Sequence, residues 1–147
     1  LNDVIIARAG FSRLVELKIY VNGELLSIYN ADGIIVSTPT GSTGYSLSAG
    51  GPIIFPQTNV IVITPICPHS LQARSLVVSG EDRIMIEIGR RRKTQKEEAM
   101  VTFDGRSAQE LETGDRIEIY KAQETTQLIR LKGRSFYQVL QNKIGTA

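Results

Sequence analysis

The sequence is poor in the residues from which compact catalytic and metal sites are usually built. It has one cysteine, Cys67, one histidine, His69, and no tryptophan in 147 residues. A single cysteine excludes an internal disulfide and fits a reducing compartment, so a cytoplasmic protein is expected. One cysteine and one histidine cannot assemble a zinc site. A Ser–His pair would have to use His69, which lies between Pro68 and Ser70 with no acidic residue close by in sequence to orient it; a structural role is the simpler reading. Charge of one sign is also scarce. Seventeen Lys and Arg against fifteen Asp and Glu leave a net +2, too little to argue for nucleic acid. The one basic run, Arg90-Arg91-Arg92-Lys93, is followed by Lys96-Glu97-Glu98 and reads as a solvated hairpin loop. No apolar run approaches the roughly 20 residues that span a bilayer, and no secretory leader is visible. There is no P-loop and no G-x-S-x-G elbow. The chain opens on Leu1-Asn2-Asp3 without an initiator Met, which reads as a cut through a longer protein.

What is present is ordinary globular composition, 41% hydrophobic and 22% charged, enough for one domain over residues 1–147. Val4 to Ala7 is a short apolar strand. Val15, Leu17, Ile19 and Val21 alternate with Glu16, Lys18 and Tyr20, the period of a half-buried strand. Asn22-Gly23 follows and predicts a two-residue hairpin into Glu24 to Asn30. Further strands are predicted at Ile34 to Ser37, at Val60 to Thr64 between Pro56 and Pro65, and at Arg74 to Val78, Arg83 to Ile88, Ala99 to Phe103, Arg116 to Tyr120 and Gln127 to Lys132. Asp104-Gly105 and Thr113-Gly114-Asp115 mark turns. Thr43 to Gly50 predicts a short helix stopped by Gly50-Gly51-Pro52, and Phe136, Val139, Leu140 and Ile144 predict an amphipathic one at the end. The pattern is a mainly β, sandwich-like domain of about nine or ten short strands with these two helices.

One stretch organises the rest. After the strand Ile34 to Val36, residues 37 to 52 are almost entirely Gly, Ser, Thr, Ala and Pro, with one aromatic, Tyr45. Small residues let a ligand lie against the backbone, and hydroxyls add donors and acceptors along that surface. A plain loop satisfies the same composition. The combination with one ring suits a flat, polar ligand such as a nucleotide.

The run Asp32-Gly33-x-x-x-Ser37-Thr38-Pro39-Thr40-Gly41-Ser42-Thr43-Gly44-Tyr45-Ser46-Leu47-Ser48-Ala49-Gly50-Gly51-Pro52 closely resembles the signature of the NAD kinase family. Leu1-Asn2-Asp3, Pro65-Ile66-Cys67-Pro68-His69-Ser70-Leu71-x-x-Arg74 and Asp104-Gly105 match in the same order, so the resemblance covers essentially the whole chain. It implies the β-rich, NAD-binding C-terminal domain of an enzyme that phosphorylates the 2′-hydroxyl of the adenosine ribose of NAD to give NADP. The phosphoryl donor implied is ATP with Mg²⁺, or polyphosphate. The catalytic aspartate of the family's Gly-Gly-Asp-Gly motif belongs to an N-terminal α/β domain that this sequence does not contain. No catalytic residue and no metal is therefore expected in this chain, which alone is expected to be inactive. A stand-alone dinucleotide-binding or sensing module without catalysis remains the alternative.

The resemblance also implies the site. Asn2 and Asp3 match a pair that holds ribose hydroxyls. Thr40, Thr43, Gly44 and Ser48 match positions lining adenine and ribose, with Ser46 and Leu47 in the same run. Tyr45 matches a ring beside the nucleotide, and Asp32 an acidic contact; both reach across a subunit boundary in the family, which implies a homo-oligomer, a dimer or tetramer. Arg13 and Arg106 fall at ligand-contacting positions, and Cys67 and His69 in the segment approaching the nicotinamide. Asn30 stands where many bacterial members have a basic residue, so a phosphate contact from that position is not expected. The partners implied are NAD or NADP, and ATP or polyphosphate through the other domain, with neither nucleic acid nor membrane.

Overall fold

The computed structural model describes residues 1–10, 14–90, 97–127, 129 and 133–145. Ten strands are described: β1 Asp3–Arg8, β2 Val15–Val21, β3 Glu24–Ala31, β4 Gly33–Ser37, β5 Val60–Ile66, β6 Leu76–Ser79, β7 Ile84–Ile88, β8 Glu98–Phe103, β9 Arg106–Glu112 and β10 Arg116–Ile119. A 3-10 turn, Thr40–Thr43, runs into the short helix α1, Tyr45–Ser48, and helix α2 spans Phe136–Ile144. The strands form two antiparallel sheets, one of six in the order β6-β5-β4-β1-β8-β9 and one of four in the order β10-β7-β2-β3.

Alternation explains how the sheets meet. Leu17 and Ile19 on β2 and Ile84, Ile86 and Ile88 on β7 are wholly buried and face Val4, Ile6, Ile34, Val36, Ile63 and Val101 of the larger sheet in one apolar cluster. Each such side chain contributes about 2 kcal/mol on burial. The polar members of β2 lie on the other face, where Lys18 meets Glu87 at 3.0 Å and Arg116 meets the same carboxylate at 2.8 Å.

The hairpin at Asn22-Gly23 forms as the sequence predicts: both residues have positive φ, 51° and 85°, as the tight turn between twisted strands requires. Three expectations change. β5 does not stop before Pro65 but runs on to Ile66. β6 pairs only with Val60 to Ile63, so at Pro65 that side of the strand is an edge and the missing N–H breaks no ladder. The expected helix over 43–50 divides at Gly44, whose φ −94°, ψ −131° fits neither helix. β9 was not predicted at all; its sequence, RSAQELE, is nearly all polar and forms a strand as the edge partner of β8. The expected strand Gln127 to Lys132, and residues 91–93 of the basic run, lie largely outside the described residues.

The terminal helix has the expected apolar spacing. Ser135 caps it, accepting from the Gln138 amide while the Gln138 side chain accepts from the Ser135 amide. None of its residues is buried; Phe136 and Tyr137 meet the ring of Phe55 at 5.2 and 6.0 Å.

Candidate functional site

Register brings the start of β1, the end of β4 and the end of β8 to one edge of the larger sheet: Asp3 pairs with Ser37, and Val4 with Phe103. Three of the sequence matches, far apart in the chain, therefore meet there. The turn Asp104-Gly105 follows β8 with φ 49° and 70°, and Arg106 opens β9 beside it. Oδ1 of Asp104 accepts from the backbone N–H of Asn2 at 2.6 Å and of Asp3 at 3.2 Å, and the Asp104 N–H donates to the Asp3 carbonyl at 3.1 Å.

The same Asn2 peptide is gripped from the other side. The Thr38 N–H donates to the Asn2 carbonyl at 2.9 Å, and the Thr38 hydroxyl lies 3.1 Å from the Leu1 carbonyl oxygen and 3.3 Å from that of Asn2. That hydroxyl also accepts from the Gly41 N–H at 3.1 Å. Gly41 comes so close that a Cβ there would lie 2.5 Å from the Asn2 carbonyl carbon and 2.8 Å from its Cα. Only glycine fits.

Beyond Gly41 the segment is stitched down by buried hydroxyls. Oγ of Ser42 donates to the Pro39 carbonyl at 2.6 Å and accepts from the Ile54 N–H at 3.0 Å. Ser46 and Thr64 share a buried hydrogen bond at 3.0 Å, and a Cβ on Gly51 would strike both hydroxyls. Ser46, grouped by resemblance with the ligand contacts, thus has its side chain turned inward and wholly buried, because it ties α1 to β5. Thr40, Gly44, Tyr45 and Ser48 are exposed, with Thr43 and Leu47 half-buried, so the outer side of this turn offers two hydroxyls, a ring and an open glycine backbone. Tyr45 is 47% exposed.

Electrostatics divide the two aspartates. The backbone N–H groups of Asn2 and then Asp3 hold the Asp104 carboxyl below the usual carboxylate range, with Arg106 adding slightly. Burial pushes the Asp3 carboxyl up, and the Asp104 carboxylate adds to the rise. Cross-strand from Asp3 sits Ser37, whose buried hydroxyl has no partner among the described residues. Among those residues no group of three or more His, Cys, Asp and Glu could hold a metal ion.

The remaining sequence-picked residues lie at the opposite edge of the same sheet. Asp32 precedes β4 and pairs with Arg8 at the end of β1, 3.1 Å away and about one-third exposed on each side. Cys67, exposed and at φ 45°, follows β5, and the His69 N–H donates to the Asn30 carbonyl at 2.9 Å. The five residues of β4 separate the two groups by about 15 Å. One chain therefore brings Asn2, Asp3, the 40–48 turn and Arg106 together, and keeps Asp32, Cys67 and His69 apart from them. Arg13 lies outside the described residues. Sequence reasoning gave Asp104 no role beyond its turn, because no spacing rule links it to an amide 101 residues away.

The family model of the ATP-NAD kinase C-terminal domain matches residues 1–131. The chain is 54% identical over 145 residues to the NAD kinase of Lachnoclostridium phytofermentans, covering 99% of this chain and 51% of that protein. It is 50% identical to the NAD kinase of Agathobacter rectalis, with the same coverage. The chain thus spans about half the length of the curated relatives it matches. Among solved structures, yeast NADH kinase complexed with NADH superposes with a TM-score of 0.77 at 40% identity, over 81% of this chain and 34% of that one. An NAD kinase from Archaeoglobus fulgidus in complex with ATP gives 0.73 at 29% identity, over 84% and 45%.

Proposed function

The chain belongs to the ATP-NAD kinase family, as its C-terminal domain, and from this we propose that it forms the NAD-binding part of an enzyme transferring the γ-phosphoryl group of ATP, or a phosphoryl group of polyphosphate, to the 2′-hydroxyl of the adenosine ribose. What supports the reading is the convergence of Asn2-Asp3, the 40–48 turn and Arg106 at one sheet edge, together with the binding of NADH by a structural relative.

In this reading the chain positions the acceptor. Asn2 and Asp3 take ribose hydroxyls, Thr40, Thr43 and Ser48 take further polar edges, and Tyr45 packs against the base. Gly44 leaves the backbone open to it. Such transfer depends chiefly on holding the attacking hydroxyl in line with the phosphoryl group. The base and the triphosphate cradle fall to the half of the relatives that this chain does not match.

Asp32 and Tyr45 reach in addition toward a ligand bound mainly by a neighbouring copy, which makes the working unit a homo-oligomer, and Cys67 and His69, about 15 Å along the sheet, approach the nicotinamide end of an extended dinucleotide; the protein works in the cytoplasm. Two measurements test the proposal. The chain alone binds NAD by calorimetry but makes no NADP from NAD, ATP and Mg²⁺. Absence of NAD binding refutes the reading, as does NADP formation that mutation of Asp32 abolishes. For the shared site, Asp32→Ala and Asn2→Ala chains each bind weakly, and mixing them restores a fraction of intact sites. A strict monomer with full NAD affinity refutes the sharing.

A further inference from the structure

We propose that Asp104, in the turn between β8 and β9, is the positioning residue of the ribose site: its carboxylate holds the backbone of Asn2 and Asp3 and so sets where those two residues stand. This rests on the binding role given above to Asn2 and Asp3.

A two-residue turn with positive φ at both positions favours Asn or Asp followed by Gly, and Asn would satisfy the backbone here as well. The carboxylate does something the turn does not need. One oxygen, Oδ1, accepts from two successive amides just before and at the start of β1, and the Asp104 N–H closes a third bond to the Asp3 carbonyl. Bonds to an ionised acceptor are the strong kind. They cross from one strand end to another over about a hundred residues of chain. The peptide they hold is the one on which Thr38 and Gly41 rest from the opposite side. A displaced Asn2 would therefore move both the ribose contacts and the root of the 40–48 turn.

The second effect is electrostatic. Burial raises the Asp3 carboxyl and the Asp104 carboxylate adds to that rise, while the Leu1 amino group and Arg106 act on Asp104 in the lowering sense. Across the strand from Asp3 stands Ser37, whose hydroxyl is uncharged.

The experiment uses the whole chain with NAD as probe. In Asp104→Asn, circular dichroism and the melting curve report a folded protein, the Asp3 carboxyl titrates at lower pH by NMR, and NAD binds roughly tenfold more weakly, the scale of one charge-assisted hydrogen bond. Asp115→Asn is the control. Asp115 makes the same kind of bond to the Glu112 N–H, at 2.8 Å, at the far end of β9, and its loss leaves NAD affinity unchanged. In the unmodified chain the amide signals of Asn2 and Asp3 titrate together with the Asp104 carboxyl as pH falls, a readout that needs no variant. An Asp104→Asn chain with wild-type NAD affinity and an unmoved Asp3 titration overturns the proposal, as do Asn2 and Asp3 amides that ignore the Asp104 titration. If the unmodified chain binds no NAD, the binding role of the site fails, while the amide titration still decides the positioning role.

Discussion

The two edges of the six-stranded sheet are built differently. At the Asn2 edge, side chains bond to backbone across four segments: Asp104 to the amides of Asn2 and Asp3, Thr38 to Gly41 and to the carbonyls before β1, and Ser42 to Ile54. At the Asp32 edge the described contacts run mostly through backbone, Arg8 N–H to the Asp32 carbonyl, Asp32 N–H to the Ile66 carbonyl and His69 N–H to the Asn30 carbonyl, with the Arg8–Asp32 ion pair beside them, and Cys67 and His69 are exposed. Both edges hold residues that the family resemblance marks for the ligand. The first is rigid before any ligand arrives, which lowers the ordering cost of binding.

Breaking the rigid edge has the largest expected effect. Gly41→Ala places a methyl group inside the Asn2 peptide and should cost about 3 kcal/mol of stability, the upper range for forced overpacking. Urea denaturation measures it. The neighbouring Gly44 sharpens the contrast, since a Cβ there meets only the Gly41 carbonyl oxygen at 3.2 Å. Gly44→Val is therefore expected to keep the fold and to lose NAD affinity by steric exclusion, as calorimetry on the folded variant would record. Unchanged affinity would mean that Gly44 does not face the ligand.

Next in size is the Ser46–Thr64 bond. Either Ser46→Ala or Thr64→Val strands one buried hydroxyl and should cost about 1–2 kcal/mol. The double variant should cost little more than either single one, which a double-mutant cycle on chemical denaturation would show.

The two aspartates of the rigid edge respond to acid in opposite senses. Asp104 titrates below its ordinary value, so its stabilising contribution is present above 3.8 and is lost as pH falls through its folded-state pKa. Asp3 titrates above its ordinary value, so it favours the fold below 3.8 and gives up that contribution as pH rises through its folded-state pKa. Asp3→Asn should therefore raise stability near neutral pH relative to pH 3, whereas Asp104→Asn should lower it. Melting curves at the two pH values test both signs. Smallest of all is the open edge. Asp32→Ala removes a partly exposed ion pair and should change stability by less than about 1 kcal/mol. A loss of NAD affinity without a loss of stability would mark Asp32 as a contact for a neighbour's ligand.

Much of this layout is legible in the residues. Strict alternation in β2, isoleucines at every second position of β7 and the Asn22-Gly23 dipeptide carry their own structural instructions. β9 carries none, because an edge strand in contact with water needs few apolar residues and borrows its shape from β8. Pro65 looks like a terminator and is not, since its effect depends on a neighbour strand having already ended. The order of the family matches along the chain is legible too, but not which of them share an edge. That follows from strand register, which pairs Asp3 with Ser37 and Gly33 with Ile66 and so sends residues close in sequence, Asp32 and Thr40, to opposite ends. Whether a serine in the turn points outward like Ser48 or inward like Ser46 is decided by Thr64, sixteen residues further on than the nearer of the two.

The bond from Asp104 to Asn2 also bears on how the domain is made. β1 can pair with β4 once the residues up to Ser37 have followed it out of the ribosome, but its other flank stays bare until β8 and the turn after it emerge. Contacts of such sequence separation close slowly. During synthesis β1 therefore waits with one open edge, and the end of the sheet that holds Asn2 and Asp104 is among the last parts of the domain to lock, after the four-stranded sheet has had time to take in β7.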